Sequence, residues 1–332
     1  MIARIRFGTL AAGLLTGLGS LLWSSAPAQA QGADAWPARP IRLIVPFAPG
    51  GGTDMVGRAI APRLGERLGR PVIVENRGGA GAVIGTQLVA KAPPDGYTLL
   101  VCDTAHTIQP ALQKLDYDPI RSFSLISSLV RGDTVLAIPA SLPVTTIPQF
   151  IALARAKPGT LVAGTAGPGS SGHMGAELFK VMADIDIVIA HYKGGGAATT
   201  DLLGGQIHLS SITIQAAVPH VKAGRLRVIG IGGPVRSPLL PDVPTVEETS
   251  PALAGYNSAG WRGLVGPAGM PAAIVDRLVR EVRTVLDDPD TRALFDANGM
   301  DVDFRGPKEF AAYVAEEMKR WAVVVQRAGI KL

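Results

Sequence analysis

Apolar residues follow two spacings along this chain. β-Branched runs such as Ile41-Arg42-Leu43-Ile44-Val45 predict buried strands, and apolar residues recurring every three or four positions, as in Val56, Ile60, Leu64 and Leu68, predict helices. Strands are expected at 41–45, 72–76, 98–102, 161–164, 185–190, 207–214 and 228–231, with further apolar segments at 123–130 and 135–138. Helices are expected through 56–68, through Leu88 and Val89, and at 147–156, 174–182, 197–203, 216–222, 272–286, 289–297 and 307–328, with a short strand among the last three. Strand and helix in turn imply an α/β protein with a mostly parallel sheet in each of two domains.

The breaks in this pattern suggest where the domains divide. Pro139-Ala140-Ser141-Leu142-Pro143 interrupts it, and an extended segment from Tyr256 recrosses, so one domain is expected over 31–138 and 256–332 and the second over 139–255. Residues 1–30 stand apart. Arg4 and Arg6, an apolar stretch from Leu10 to Trp23, and Ala28-Gln29-Ala30 have the order of a secretory signal peptide cut after Ala30. No later run reaches the roughly 18 apolar residues of a membrane span, so a soluble, exported protein is expected.

Composition narrows the function. The chain has 332 residues and a formal charge of +5 that includes the two signal-peptide arginines, without a basic block, and only 5% aromatic residues, which argues against nucleic acid. Its one cysteine, Cys102, lies in the apolar run Thr98-Leu99-Leu100-Val101-Cys102, so no intrachain disulfide can form and a core thiol is expected. No cysteine stands at the cleavage site, against a lipid-anchored form.

The polar turns carry the candidate chemistry. Ala48-Pro49-Gly50-Gly51-Gly52-Thr53-Asp54 lies between a strand end and a helix start, where free N–H groups and the helix dipole favour an anion. Thr53 or Asp54 would cap that helix; the same residues also suit a tight turn with an ordinary cap. Asp103-Thr104-Ala105-His106-Thr107 follows the third strand, and Thr165-Ala166-Gly167-Pro168-Gly169-Ser170-Ser171-Gly172-His173 repeats the strand, turn and helix in the second domain. Two such turns facing each other would form a cleft lined by neutral donors, with a bulky residue at Gly51 or Gly52 expected to block it. Gly79, Gly81 and Gly85 follow the second strand at a spacing unlike that of a dinucleotide fingerprint, and no phosphate loop of the G-x-x-x-x-G-K-[ST] kind occurs. The five histidines lack metal-ligand spacing, so neither metal nor cofactor is expected. A secreted hydrolase or isomerase using Ser171 and His173 is the alternative, although the G-x-S-x-G elbow is absent.

The motifs together resemble the tripartite tricarboxylate transporter substrate-binding proteins, the Bug family of periplasmic solute receptors. The resemblance rests on Val45-Pro46-Phe47-Ala48-Pro49-Gly50-Gly51-Gly52-Thr53-Asp54, Val74-Glu75-Asn76-Arg77-Gly78-Gly79-Ala80-Gly81, Pro94-Asp95-Gly96-Tyr97-Thr98, Gly169-Ser170-Ser171-Gly172-His173, Tyr192-Lys193-Gly194, Asp201-Leu202-Leu203-Gly204-Gly205-Gln206, Pro241-Asp242-Val243-Pro244-Thr245 and Trp261-Arg262-Gly263-Leu264, in order over nearly the whole mature chain. It implies a type II periplasmic binding protein fold and a non-catalytic, periplasmic, monomeric receptor that passes a small carboxylate to membrane transporter subunits; a sensor docking on a signalling receptor would use the same cleft. The implied ligand contacts are Pro49, Gly50, Gly51, Gly52, Thr53, Thr104 and Ala105 from the first domain, and Ser170, Ser171, Tyr192, Gly195 and Thr213 from the second. Asp54 is read mainly as a helix cap rather than a ligand contact, and Lys193 either as a partner for the carboxylate or as a solvated loop lysine. The acidic turn at Asp103 and the Ala190-His191-Tyr192 run depart from the family's usual pattern.

Overall fold

The computed structural model describes residues 36–330; the expected signal peptide and cleavage site lie outside the described residues. Three strand-helix units come first: β1 (Ile41–Val45), α1 (Gly52–Leu68), β2 (Val72–Asn76), α2 (Val83–Ala90), β3 (Thr98–Asp103) and α3 (Ala105–Leu112). After β4 (Phe123–Gly132) the chain continues as β5 (Thr134–Pro139), α4 (Ile147–Ala156), β6 (Val162–Thr165), α5 (Ser171–Ala183), β7 (Val188–His191), α6 (Gly195–Leu203), β8 (Leu209–Thr213), α7 (Ile214–Lys222) and β9 (Leu226–Ile231). It ends with β10 (Gly260–Pro267), α8 (Ala272–Asp287), α9 (Pro289–Ala297), β11 (Met300–Val302) and α10 (Pro307–Ala328).

The two sheets share one plan. The first has the order β11-β4-β10-β3-β1-β2 and the second β7-β6-β8-β5-β9. β1 pairs in parallel with β2 and β3, and β6 with β7 and β8. β10 runs antiparallel between β3 and β4, as β5 does between β8 and β9. Four of six strands in the first sheet and four of five in the second therefore run the same way, with β10, β11 and β5 reversed. β5 and β10 are the strands by which the chain enters each sheet from the other, and each arrives running against its neighbours. That role is invisible in local periodicity.

Sheet membership also moves the crossings. β5 belongs to the second sheet, so the chain leaves the first at Asp133 instead of near 138–139. On the return, the Ser258 N–H still donates to the Gly232 carbonyl (2.8 Å) and its hydroxyl meets Thr134 Oγ1 (2.6 Å), so the second lobe extends past 255 to the start of β10.

Apolar faces bury both sheets. α1, α8 and α9 cover one side of the first sheet and α2 and α10 the other, where Trp261 packs edge-on against Phe310 with ring centroids 5.6 Å apart. Phe150 of α4 and Phe179 of α5, with Tyr256, fill one side of the second sheet; α6 and α7 cover the other. A smaller cluster of Ile108, Leu112, Met174, Trp321 and Val325 joins α3 and α10 to α5 of the other lobe. Cys102 is buried, and desolvation pushes its thiol far up, so it is an inert core residue.

Candidate ligand-binding cleft

The strand-to-helix turn at Gly50 is held from inside. Gly51 is the N-cap of α1 and no side chain caps it. Instead Asp54, in the first turn, accepts the Gly50 N–H (2.9 Å), Arg58 Nε (2.9 Å) and Asn76 Nδ2 (2.8 Å), while Asn76 Nδ2 also donates to the Phe47 carbonyl (3.0 Å). Burial pushes the Asp54 carboxyl up, but the hydrogen bonds from Arg58, Gly50 and Asn76 outweigh it and hold the group below its usual value. Pro49, Gly50 and Gly51 are exposed and Gly52 half-buried. The first-turn N–H groups have no acceptor within the helix, which leaves donors at a positive helix end.

Thr53 turns inward, its hydroxyl donating to Asp103 Oδ2 (3.0 Å). Asp103 Oδ1 accepts the Ala105 N–H (3.0 Å) at the start of α3, and Thr104 Oγ1 accepts the Trp261 N–H (3.0 Å), tying the end of β3 to β10. Of the expected contacts here, Ala105 has its amide committed to Asp103, and Thr104 keeps only its hydroxyl proton free. Burial raises the Asp103 pKa, opposed by the Arg262 charge, the Thr53 hydroxyl and the Ala105 N–H.

Arg262 of β10, which is not among the contacts expected from the sequence, lies at the same place. It stands opposite Asp103 in the register of β3 and β10 and is only 4% exposed, yet its Nε and Nη1 have no hydrogen-bond partner. Desolvation lowers its pKa, with Asp103 acting the other way. A Cβ on Gly52 would stand 2.8 Å from Arg262 Nη2 and 2.9 Å from Nε2 of Gln215, which comes from the first turn of α7 in the other lobe. Both side-chain polar atoms of Gln215 are likewise buried without partners. The N-terminus of α1, a buried guanidinium and a side chain from the second lobe thus converge on one spot. Only glycine allows this approach. A full positive charge therefore stands beside the neutral donors of this turn.

In the second lobe, Ser170 is the N-cap of α5, its Oγ accepting the His173 N–H (3.2 Å) and donating to the Gly167 carbonyl (2.8 Å). Ser171 opens the helix and is half-buried. His173 Nδ1 accepts the Gly169 N–H (3.0 Å), so this nitrogen cannot take a proton from Ser171, and its Nε2 faces Glu177. The Tyr192 hydroxyl donates to Asp201 Oδ2 (2.7 Å), which places the ring against α6. Gly195 begins α6 and is exposed; Thr213 is the N-cap of α7, two residues before Gln215. Among the described residues no group of three or more His, Cys, Asp or Glu could hold a metal, and no helix is long and apolar enough to cross a membrane.

Two lobes of one plan, each entered by a strand from the other, with helix N-termini meeting at their junction, define a two-domain solute receptor of the type II periplasmic binding protein fold. The chain belongs to the tripartite tricarboxylate transporter receptor family, whose model matches residues 56–330. It is 34% identical over 322 residues to BugT of Bordetella pertussis, covering 96% of this chain and 98% of that one. A Rhodopseudomonas palustris protein solved with adipate superposes with TM-score 0.85 at 34% identity, over 89% of this chain and 99% of that one. MatC of the same organism, with bound malate, gives TM-score 0.82 at 33% identity, over 87% and 100%. These relatives are solute-binding receptors, not enzymes, and the chain is a receptor of their kind.

Proposed function

We propose that this protein is a periplasmic receptor that captures a small carboxylate between its lobes and delivers it to the membrane subunits of a tripartite tricarboxylate-type transporter. The observation that carries the reading is the N-terminus of α1 at Gly52 opening onto the junction of the lobes, with Gln215 of the second lobe facing it. Helix N-termini bind carboxylates through free N–H groups and the dipole. Contacts from two lobes make the ligand favour the closed arrangement by its differential affinity. On this reading the exposed Pro49–Gly51 turn, Gly52, Thr53 and Thr104 form the first-lobe wall. Ser170, Ser171, Gly195 and Thr213 contribute the helix starts of the second lobe, and the receptor acts as a monomer. The adipate- and malate-bound relatives support the ligand class. Delivery is tested by uptake of labelled acid in cells lacking the gene: loss of uptake, restored by the wild-type chain, is expected, and unchanged uptake of an acid the protein binds would contradict it.

A further inference from the structure

We propose that Arg262 is the charge partner of the ligand's carboxylate and that Gln215 closes on the same carboxylate from the other lobe, so that the acid is held as a buried ion pair. This rests on the carboxylate-receptor reading and adds to it which side chains carry recognition and that the ligand is bound ionised. A guanidinium that is 4% exposed, with Nε and Nη1 unpaired, is costly. Its nearest acid does not relieve it. The two oxygens of Asp103 are engaged by Thr53 Oγ1 and the Ala105 N–H, and no salt bridge joins Asp103 to Arg262 although they are register partners. The backbone beside Arg262 Nη2 is the positive end of α1, which repels the guanidinium and attracts the same anion. Glycines on several sides make room for it: Cβ atoms at Gly52, Gly132 and Gly260 would stand 2.8, 3.2 and 3.6 Å from its nitrogens. A planar carboxylate supplies what this fork lacks, two acceptor oxygens and one negative charge. Gln215 answers the need for a second-lobe contact, since its amide atoms are buried at the same spot and equally unpartnered.

The test is calorimetric titration of ligand-free protein with adipate, malate, succinate and their monoamides, together with thermal melts of the unliganded forms. Arg262→Met is expected to weaken binding of the acids by about 100-fold or more, the loss typical of removing one partner of a buried charged pair. Its unliganded melting temperature should rise or hold, because an unpaired buried charge has been removed. Gln215→Leu should weaken binding by about tenfold, as for a lost buried hydrogen bond, with the fold unchanged. Wild-type affinity in Arg262→Met overturns the assignment while leaving the receptor reading intact. A fall in its unliganded melting temperature makes Arg262 a structural cation and also overturns it. No binding of any acid by the wild type overturns the carboxylate reading and this inference with it.

Discussion

The side-chain amide of Gln109 spans the cleft to Pro168, its Nε2 lying 3.3 Å from the Pro168 carbonyl in the second lobe and 2.9 Å from the Gly81 carbonyl in the first. Gly81, at φ +61°, permits this approach: a Cβ there would stand 2.2 Å from Gln109 Nε2 and 2.4 Å from the Pro168 oxygen. One amide therefore latches the lobes. A neutral hydrogen bond is worth about 0.5–1.5 kcal/mol net, so Gln109→Leu should weaken ligand binding about two- to tenfold. The loss should appear as a faster dissociation rate, measured by stopped-flow.

Adjacent glycines in the first turn differ in what they tolerate. A Cβ on Gly51 meets nothing within 4 Å, whereas one on Gly52 collides with Arg262 and Gln215. Gly51→Ala should leave affinity within about threefold, since no contact or burial changes. Gly52→Leu should abolish binding, with circular dichroism unchanged. Equal affinities in the two variants would place the ligand elsewhere.

His173 organises the α5 turn and has no part in hydrolysis. It is 1% exposed and accepts the Gly169 N–H. His173→Ala leaves that donor unsatisfied and opens a cavity, costing about 2–4 kcal/mol, to be read by chemical denaturation. Ser171→Ala should change no turnover of ester substrates, because no acceptor nitrogen of His173 is free to serve it.

Asp133, at the first crossing between the lobes, gives stability a pH dependence. Burial pushes its carboxyl up to about 6, with Arg131 opposing and Asp301 adding to the shift. The folded state then holds this proton more tightly than the unfolded state, so the contribution is present at low pH and lost as pH rises from near 4 to about 6. Asp133→Asn should remove this loss and stabilise the protein by about 1–2 kcal/mol at pH 8 relative to wild type, with little difference at pH 4. Denaturant melts at the two pH values measure it.

Much of the fold was legible because it is locally encoded. β2, α4, α9 and α10 have the bounds expected from their sequence, and in the structure Thr146 caps α4 while prolines open α9 and α10. α3 is not legible in the sequence: its first turn, Ala105-His106-Thr107, is polar and reads as a loop, and Pro110 interrupts it. Its stability comes from Ile108 and Leu112 packing on Trp321 of α10, a contact over two hundred residues away in sequence. The placement of β5 and the buried, unpaired state of Arg262 are hidden for the same reason. A strand's sheet, and whether a charge within it finds a partner, depend on distant neighbours. The signal that could have exposed Arg262 was its type, a lone charge in the apolar strand Trp261-Arg262-Gly263-Leu264-Val265. The glycine-rich turn at Gly50 was readable because strand, turn and helix lie in one continuous stretch.

The most direct measurement is isothermal titration of the mature protein, unfolded and refolded to remove carried ligand, against mono-, di- and tricarboxylates and aromatic acids. A receptor that closes on an anion at Gly52 should bind one class of ionised acid at one site per chain with micromolar or tighter affinity. The acid should be recovered unchanged, and Gly52→Leu should show no heat. A folded protein that binds none of these acids, or that consumes the one it binds, would contradict the account.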